Sequence, residues 1–448
     1  MGTIEVLKSV TQPGWSGSVK AAWNAFEYTE STPEYRTINV VDHGIRQAVD
    51  LIACSLFPDA DGKWPVPSAG GIYPFTVLVV TIVESSWQVF RLPGRGQVIR
   101  ADVPPGQAAA LATALDPARS DRSCHVLLLL RPWLSMRKYG PRGYLYAQLD
   151  AAHAAANLTG ATPSDWRPVL RVGPDPFAIE AAAEAAVPPF HEIHSVLSFE
   201  SSHVVDPAPV AVRVPHGRAA FPEPDPVEAL CWAFLVGTLQ RGDPPPSAPV
   251  PTALPATTGE SSNDWRRWRR WAAARRSCRR FDGPRLEALT LLRTLSVLEV
   301  RLPLNFGETD VGEVRATVVL GPGYDVDERI RACLAPYGDV VTWPDDLCTE
   351  ELVRACGSQE HAADAQAFVL LHHPASRIVV EGRPDLLRAA LFRAGCAAHL
   401  IQLGAAGTGV AVLTIGRFDQ AVWSNAGRLD ADDQVLYLMA LGTAKEGT

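Results

Sequence analysis

The sequence predicts an α+β protein made of two related domains in one chain. Short β-branched or leucine-rich runs of strand length are mixed with long alanine- and leucine-rich helical segments. A proline-, serine- and threonine-rich stretch begins near residue 241. Segments on either side of that stretch match each other at one fixed offset, which is typical of a duplicated domain.

The predicted strands are four short apolar runs, and the predicted central helices are two long apolar segments. The strands lie at 75–82, 125–130, 315–321 and 367–372. The segments at 144–158 and 384–404 are nearly all apolar, so we expect a buried central helix in each half.

The stretch at 241–263 has no apolar periodicity and is expected to be an exposed linker. It separates a domain at 1–240 from a domain at 264–448. At an offset of 242 positions, 147–158 aligns with 389–400 with six identities in twelve residues. The same offset aligns the apolar run at 125–132 with the run at 367–374, so the halves are predicted to share a fold.

Composition excludes several classes of function. The chain has 49 acidic and 41 basic residues and a formal net charge of -8, which argues against general affinity for nucleic acid. None of the 8 cysteines forms a C-x-x-C pair, so we expect no metal and the reduced thiols of a cytoplasmic protein. The N-terminal sequence does not resemble a signal peptide, and no run reaches the roughly 18 apolar residues of a membrane helix. We therefore expect no membrane partner.

Two motifs in the first half suggest chemistry. Before the strand at 75–82, glycines stand beside small residues, which lets the backbone approach a flat ring system closely. Farther along, a lysine and a tyrosine are adjacent and can exchange protons with a substrate if the site depresses their pKa values. The alternatives are an ordinary glycine turn and a solvent-exposed lysine beside a packed tyrosine. The residues of these motifs are Pro67, Ser68, Ala69, Gly70 and Gly71, then Lys138 and Tyr139.

Two motifs in the second half suggest phosphate binding. Guanidinium groups beside a hydroxyl can hold a phosphate, because arginine binds phosphate in a bidentate way. A glycine-containing loop precedes the last predicted strand, and a lysine follows that strand. The alternatives are a solvated basic helix end and a frayed tail. The residues are Arg275, Arg276, Ser277 and Arg279 near the start of this half, and Gly416, Arg417 and Lys445 near its end.

These motifs resemble those of FMN-binding proteins of the nitroreductase superfamily. The elements at 67–74 and 137–146 resemble the SagB-type azoline dehydrogenase branch, in which the adjacent Lys and Tyr are the catalytic pair. The resemblance implies two fused nitroreductase-like domains that form an intramolecular pseudo-dimer. It also implies an FMN cofactor held by the residues of the glycine motif and of the second half, with Lys138 and Tyr139 as catalytic residues.

The implied reaction is the oxidation of peptide thiazolines or oxazolines to thiazoles or oxazoles in the biosynthesis of peptide natural products. The implied partners are an azoline-containing peptide, as substrate, and the cyclodehydratase that makes its rings. Two other functions stay open. One is an NAD(P)H-dependent nitro- or ene-reductase, which does not require Lys138 and Tyr139; the other is a flavin-free scaffold subunit.

The offset between the halves predicts one flavin site per chain. In this superfamily the flavin lies at the interface of a dimer, and each protomer supplies different motifs. At an offset of 242 positions, the residues at 275, 277 and 279 align with Pro33, Tyr35 and Thr37. The pair at 138 and 139 aligns with Val380 and Glu381. Each half thus lacks what the other retains, and we expect one composite site in a monomeric chain.

Basic and aromatic residues are interleaved at 265–271. Such a pattern can bind nucleic acid, a substrate peptide or an acidic partner. The tryptophans at every third position instead favour a packed helix face, and with a net charge of -8 we favour packing.

Overall fold

The computed structural model describes residues 35–116, 123–139, 142–173, 187, 191–200, 208–215, 265–278, 280–300, 302, 304–305, 314–374 and 384–445. These residues form two compact units. The first unit contains those of 35–269 and of 302–305, and the second contains those of 270–300 and 314–445. The expected linker at 241–263 lies outside the described residues, so the domain boundaries stay predictions.

The first unit contains a sheet flanked by helices. Its strands are β1 (Tyr35–Val40), β2 (Phe75–Val83), β3 (Ser86–Gly94), β4 (Gln97–Arg100), β5 (Ser123–Leu130), β6 (Val169–Val172), β7 (Glu192–Glu200), β8 (Val210–Pro215) and β9 (Leu304–Asn305). Its helices are α1 (His43–Ser55), α2 (Pro105–Leu115), α3 (Pro132–Tyr139) and α4 (Arg142–Gly160). The boundary between the units falls within α5 (Trp265–Ala274).

The sheet of the first unit has the order β1-β8-β4-β3-β2-β5-β7-β6-β9. Every residue of β5 is buried, and this strand pairs antiparallel with β2 on one side and β7 on the other. Its leucine run suits a central strand with both faces covered. Alanine-rich α4 packs against β5, β7 and α1, and nearly all of it is buried.

The second unit repeats this plan in a smaller sheet of order β11-β10-β12-β14-β13. Its strands are β10 (Arg315–Leu320), β11 (Asp339–Thr342), β12 (Ala367–Pro374), β13 (Ala411–Thr414) and β14 (Asp433–Gly442). Its helices are α6 (Ala288–Leu295), α7 (Glu328–Leu334), α8 (Thr349–Ala355), α9 (Pro384–Thr408) and α10 (Gln420–Ala426). The long helix α9 packs against β12, β14 and α6.

The two sheets match at the offset that the sequence predicts. The antiparallel strands β2-β5-β7-β6 correspond to β10-β12-β14-β13. β6 covers residues 169–172 and β13 covers residues 411–414, 242 positions later. The helix α9 begins at residue 384, which is 242 positions after residue 142, where α4 begins. The pairing of β5 with β7 skips His194, and the pairing of β12 with β14 skips Leu436, again 242 positions apart. A shared β-bulge at one alignment position supports duplication, because a bulge is a defined backbone feature.

The helix α9 is also the one helix among the described residues that is long and apolar enough to cross a membrane, over Leu386–Thr408. Counting uninterrupted apolar residues misses it, because Arg388, Arg393 and His399 interrupt the run. Most of this stretch is buried within the protein, as expected for a core helix.

Two tryptophans of α5 are anchored by packing. In the first unit, Trp268 is buried, its indole nitrogen donates to Asn157 Oδ1 at 2.7 Å, and its ring leaves no room for a Cβ at Gly160. In the second unit, the Trp271 ring lies against Gly407 and leaves no room for a Cβ atom there. These side chains therefore have packing roles, and the absence of a nucleic-acid partner stays a prediction.

Candidate functional site

The glycine motif forms a tight turn that leads into β2. Pro67 is half-buried, and Ala69–Gly71 forms a single 3-10 turn. Gly70 and Gly71 have positive φ angles of 65° and 70°, a region that glycine reaches without steric cost. Tyr73 also has a positive φ, 50°. A residue of that size persists in this conformation only where surrounding contacts hold it.

Asp150, on α4, holds this turn. Its carboxylate accepts a hydrogen bond from Ser68 Oγ at 2.6 Å, and the amide of Ala69 lies 3.1 Å from each of its oxygens. Ser68 Oγ in turn accepts the amide hydrogen of Tyr73 at 2.8 Å. Ser68 O accepts the amide hydrogen of Gly71 at 3.1 Å. Asp150 is only 5% exposed. One buried carboxylate therefore holds Ser68 and Ala69 directly, and it holds Tyr73 through Ser68 Oγ.

The predicted catalytic pair, the last two residues of α3, meets this turn at Gly70. Lys138 Nζ donates a long hydrogen bond to Gly70 O at 3.4 Å and lies 5.4 Å from the centre of the Tyr139 ring. A Cβ atom at Gly70 would collide with the Tyr139 hydroxyl and with Lys138 Nζ. A Cβ atom at Gly71 would meet nothing within 4 Å. The turn therefore contacts the amine and the phenol at Gly70 and leaves Gly71 open.

Burial sets the protonation of two acidic groups. It raises the pKa of Asp150 to about 7, although the hydrogen bonds from Ser68 and Ala69 oppose this by stabilising the charged carboxylate. Burial also raises the pKa of Tyr139, and the negative charge of Asp150 adds to the increase. A depressed pKa, the condition under which this phenol would readily give up its proton, is therefore not found at Tyr139. This phenol keeps its proton at neutral pH.

Aromatic rings surround the turn and the pair. The Tyr139 and Tyr146 rings meet edge to face with their centroids 4.9 Å apart, and the Arg142 guanidinium lies 5.6 Å from the Tyr146 centroid. On the turn itself, Trp64 stacks on Tyr73 at 3.6 Å with an angle of 12° between the rings. Flat apolar surfaces beside a few polar groups are typical of sites for planar ligands.

In the second unit, the structure groups Arg275 with Ser277. Arg275 is 8% exposed, and its Nη1 donates to Ser277 Oγ at 3.3 Å. Arg276 is exposed, and its Nη1 donates to the carbonyl oxygens of Ala273 and Arg275 at 2.7 Å each. The Arg276 guanidinium thus covers the carbonyl end of α5, the helix that precedes it. Arg279 lies outside the described residues.

Of the other predicted contacts of this unit, Gly416 and Arg417 follow the edge strand β13, and Lys445 follows β14. The amide of Cys278 donates to a carbonyl oxygen of the edge strand β13 at 2.8 Å. Gly416, which is half-buried, and Arg417, which is exposed, follow the same strand. Lys445 is exposed, and its amide donates to the Asp282 carboxylate at 3.1 Å. The Arg275 segment and the Gly416 loop therefore both adjoin β13.

Asp150 is the site residue that sequence reasoning misses. It is the one acidic residue of α4 and stands among alanines and leucines. An acidic residue on a nearly all-apolar helix is seldom buried without a partner. That isolation is the signal that points to a polar contact, but the sequence does not say that the contact is Ser68.

Comparison with solved structures identifies the fold. The chain is similar to a protein described as a candidate nitroreductase from Anabaena variabilis, with a TM-score of 0.67 and 16% identity over 99% of each chain. It is also similar to a nitroreductase family protein from Clostridium novyi NT (TM-score 0.26, 16% identity, 40% of this chain and 84% of that chain). A third similar structure is the NADPH:FMN oxidoreductase from Vibrio harveyi complexed with NAD+ (TM-score 0.27, 18% identity, 40% of this chain and 68% of that chain).

No protein-family model matches the chain, and no curated protein matches it. The Anabaena variabilis protein covers nearly the whole chain, and at 16% identity this similarity establishes the fold. The predicted fold class is confirmed: the chain is an α+β protein with a nitroreductase-like fold.

Proposed function

We propose that the protein is an FMN-dependent oxidoreductase that oxidises thiazolines or oxazolines in a peptide to thiazoles or oxazoles. The meeting of Gly70 with Lys138 and Tyr139 carries this proposal. The two motifs that resemble azoline dehydrogenases are separate in the sequence, and the structure places them in contact. A nitroreductase-like fold is the fold that the resemblance implies.

The residues present fit a flavin. The backbone at Gly71 is exposed and unobstructed, which allows a planar ring system to approach it closely. Ser68 Oγ is engaged by Asp150 and by a backbone amide, so this turn would hold the cofactor mainly through its backbone. In the second unit, Arg275 and Ser277 offer a guanidinium and a hydroxyl for a phosphate.

The residues that would hold FMN are Pro67, Ser68, Ala69, Gly70 and Gly71 in the first unit, and Arg275, Ser277, Gly416 and Lys445 in the second. Arg276 is a weaker candidate, because its guanidinium is used by nearby carbonyl groups. Arg279 and Arg417 stay sequence-based candidates.

Aromatisation of an azoline ring removes two electrons and two protons. FMN, when bound, would supply the acceptor for the electron pair and for one of the two protons. The chain must take up the other proton, orient the ring and exclude water. Lys138 takes the proton from the ring carbon. Tyr139, whose raised pKa keeps the phenol protonated, donates a hydrogen bond that orients the substrate.

The cofactor is tested by the absorbance spectrum and flavin content of the purified chain. We expect one FMN per chain and loss of FMN in Arg275→Ala. Arg293→Ala is the matched control, because Arg293 is an exposed arginine at the end of α6 in the same unit. Two FMN per chain would contradict the single site, and a colourless wild-type protein would favour the flavin-free scaffold.

The substrate is tested with a synthetic peptide that contains one thiazoline, under air. The expected product is lighter by two hydrogen atoms in the mass spectrum and absorbs as a thiazole. Reduction of a nitroaromatic compound by NAD(P)H, with no conversion of the thiazoline, would instead favour the reductase function.

A further inference from the structure

The buried carboxylate of Asp150 binds the turn before β2. It accepts the Ser68 hydroxyl at 2.6 Å and the Ala69 amide at 3.1 Å. Through the Ser68 hydroxyl it also acts on the Tyr73 amide. Burying a carboxylate is costly unless its oxygens are hydrogen-bonded, and here both oxygens are.

The second unit shows that this helix position does not require an acid. At an offset of 242 positions, Asp150 corresponds to Phe392, which is fully buried in α9. The same place in the same fold thus accepts an aromatic ring. The carboxylate is present in the unit that also carries the Gly70 turn and the pair Lys138 and Tyr139.

We propose that Asp150 is a positioning residue that fixes the backbone of the turn and thereby the place where Gly70 meets Lys138 and Tyr139. Its carboxylate sets the Ser68 and Ala69 end of the turn, and the positive φ angles of Gly70 and Gly71 follow within two residues. Gly70 O then receives Lys138 Nζ, and the bare Cα of Gly70 leaves the space that the Tyr139 hydroxyl occupies. The effect of Asp150 on catalysis rests on the proposed function, whereas its effect on the turn does not.

The first test is amide hydrogen exchange of the full chain in Asp150→Asn and Asp150→Ala. We expect the amides of Ala69 and Tyr73 to exchange about tenfold faster or more in the alanine variant. The Ala69 amide loses the carboxylate that accepts its hydrogen bond, and the Tyr73 amide loses the hold of that carboxylate on its own acceptor, Ser68 Oγ. Asparagine keeps one acceptor oxygen and should give an intermediate rate. Thr159→Val is the matched control, because Thr159 is buried on the same helix and its hydroxyl donates to Ala155 O of that helix.

The second test is the titration of Tyr139, followed by NMR of the ring carbon bonded to oxygen and assigned with Tyr139→Phe. We expect the Tyr139 pKa to fall in Asp150→Asn, because the negative charge that raises it is removed, and to stay in place in Thr159→Val. This shift reports the charge of Asp150 at Tyr139, and the exchange rates report the hold of Asp150 on the turn; a substitution that only loosened the helix would produce neither.

Exchange of Ala69 and Tyr73 at wild-type rates in both Asp150 variants would overturn the proposal. If the alanine variant does not fold, the nearly isosteric Asp150→Asn carries the test alone, and unchanged exchange there has the same meaning. Neither measurement requires a flavin or a substrate. Failure of azoline oxidation would therefore count against the proposed function and leave this inference standing.

Discussion

Replacing Gly70 with alanine adds one methyl group at the point where the turn meets Lys138 and Tyr139. The new Cβ would collide with the ends of both side chains. These ends are flexible, so the side chains would move and the fold would remain. The variant therefore changes the position of the catalytic pair with little other damage.

Its cost in stability can be separated from its cost in activity. An alanine at a φ of 65° lowers the unfolding free energy by about 1 kcal/mol through backbone strain. Gly62→Ala is the matched control, because Gly62 has a φ of 76° and open space where its Cβ would lie. We expect both variants to lose about 1 kcal/mol of unfolding free energy.

The loss of activity should be much larger at Gly70 than at Gly62. Displacement of reacting groups by roughly 1 Å can lower a rate about 100-fold. We expect Gly70→Ala to lower kcat for thiazoline oxidation by about that factor, and Gly62→Ala to remain near wild type. The flavin content of each variant must be measured beside its rate, because Gly70 is also a candidate cofactor contact.

The decisive comparison is the rate per bound flavin in the two glycine variants, with urea denaturation as the measure of stability. Equal rates would refute the assignment of Gly70 as the contact that sets Lys138 and Tyr139. A much larger loss of unfolding free energy in Gly70→Ala than in Gly62→Ala would mean that the Lys138 and Tyr139 side chains cannot move aside. That result would also contradict the reasoning, which expects them to move while the fold remains.

Three further predictions concern burial, chemistry and packing. Because burial raises the pKa of Asp150 to about 7, the folded protein binds this proton more tightly than the unfolded chain does, and stability is lost as pH rises towards 7. From pH 5 to pH 8, wild type should lose on the order of 2 to 3 kcal/mol relative to Asp150→Asn in denaturant titrations, and an equal response would contradict this. Lys138→Ala should lower thiazoline oxidation about 100-fold or more and retain nitro reduction, whereas equal loss of both activities would contradict its role as the proton acceptor. Gly407→Ala should destabilise the protein by about 1 to 3 kcal/mol in thermal unfolding, because the added Cβ overlaps the Trp271 ring. Its control is Gly106→Ala on α2, where the Cβ would lie in open space, and this variant should be neutral or stabilising.

Much of the fold can be predicted from apolar patterns. The runs at 75–82 and 367–372 become β2 and β12 with shifts of one or two residues. Such strands are central and covered on both faces, so their sequences carry a strong signal. Short strands at and next to the edge carry little of this signal: β6 and β9 have 4 and 2 residues. Their pairing depends on partners distant in the chain.

The candidate site is predictable as motifs but not as contacts. The glycine turn and the pair Lys138 and Tyr139 are visible in the sequence because several uncommon residues occur together. The direction of the Tyr139 pKa shift is not visible, since it depends on burial and on the charge of Asp150. Asp150 itself lies 82 residues after Ser68, and no local pattern links them.

The two units are more alike in their backbones than in their buried side chains. The skipped residue in the sheet pairing is His194 in one unit and Leu436 in the other, at equivalent positions. A bulge that survives this change of residue is set by the backbone and the strand pairing, and not by the side chain. At the equivalent positions in α4 and α9, one unit buries Asp150 and the other Phe392. Because the equivalent position of α9 buries an aromatic ring, packing of this helix position does not require a carboxylate. The Asp150 carboxylate lies beside the turn that contains Gly70. This is expected of a residue whose role is to position that turn, even though burying its charge lowers stability.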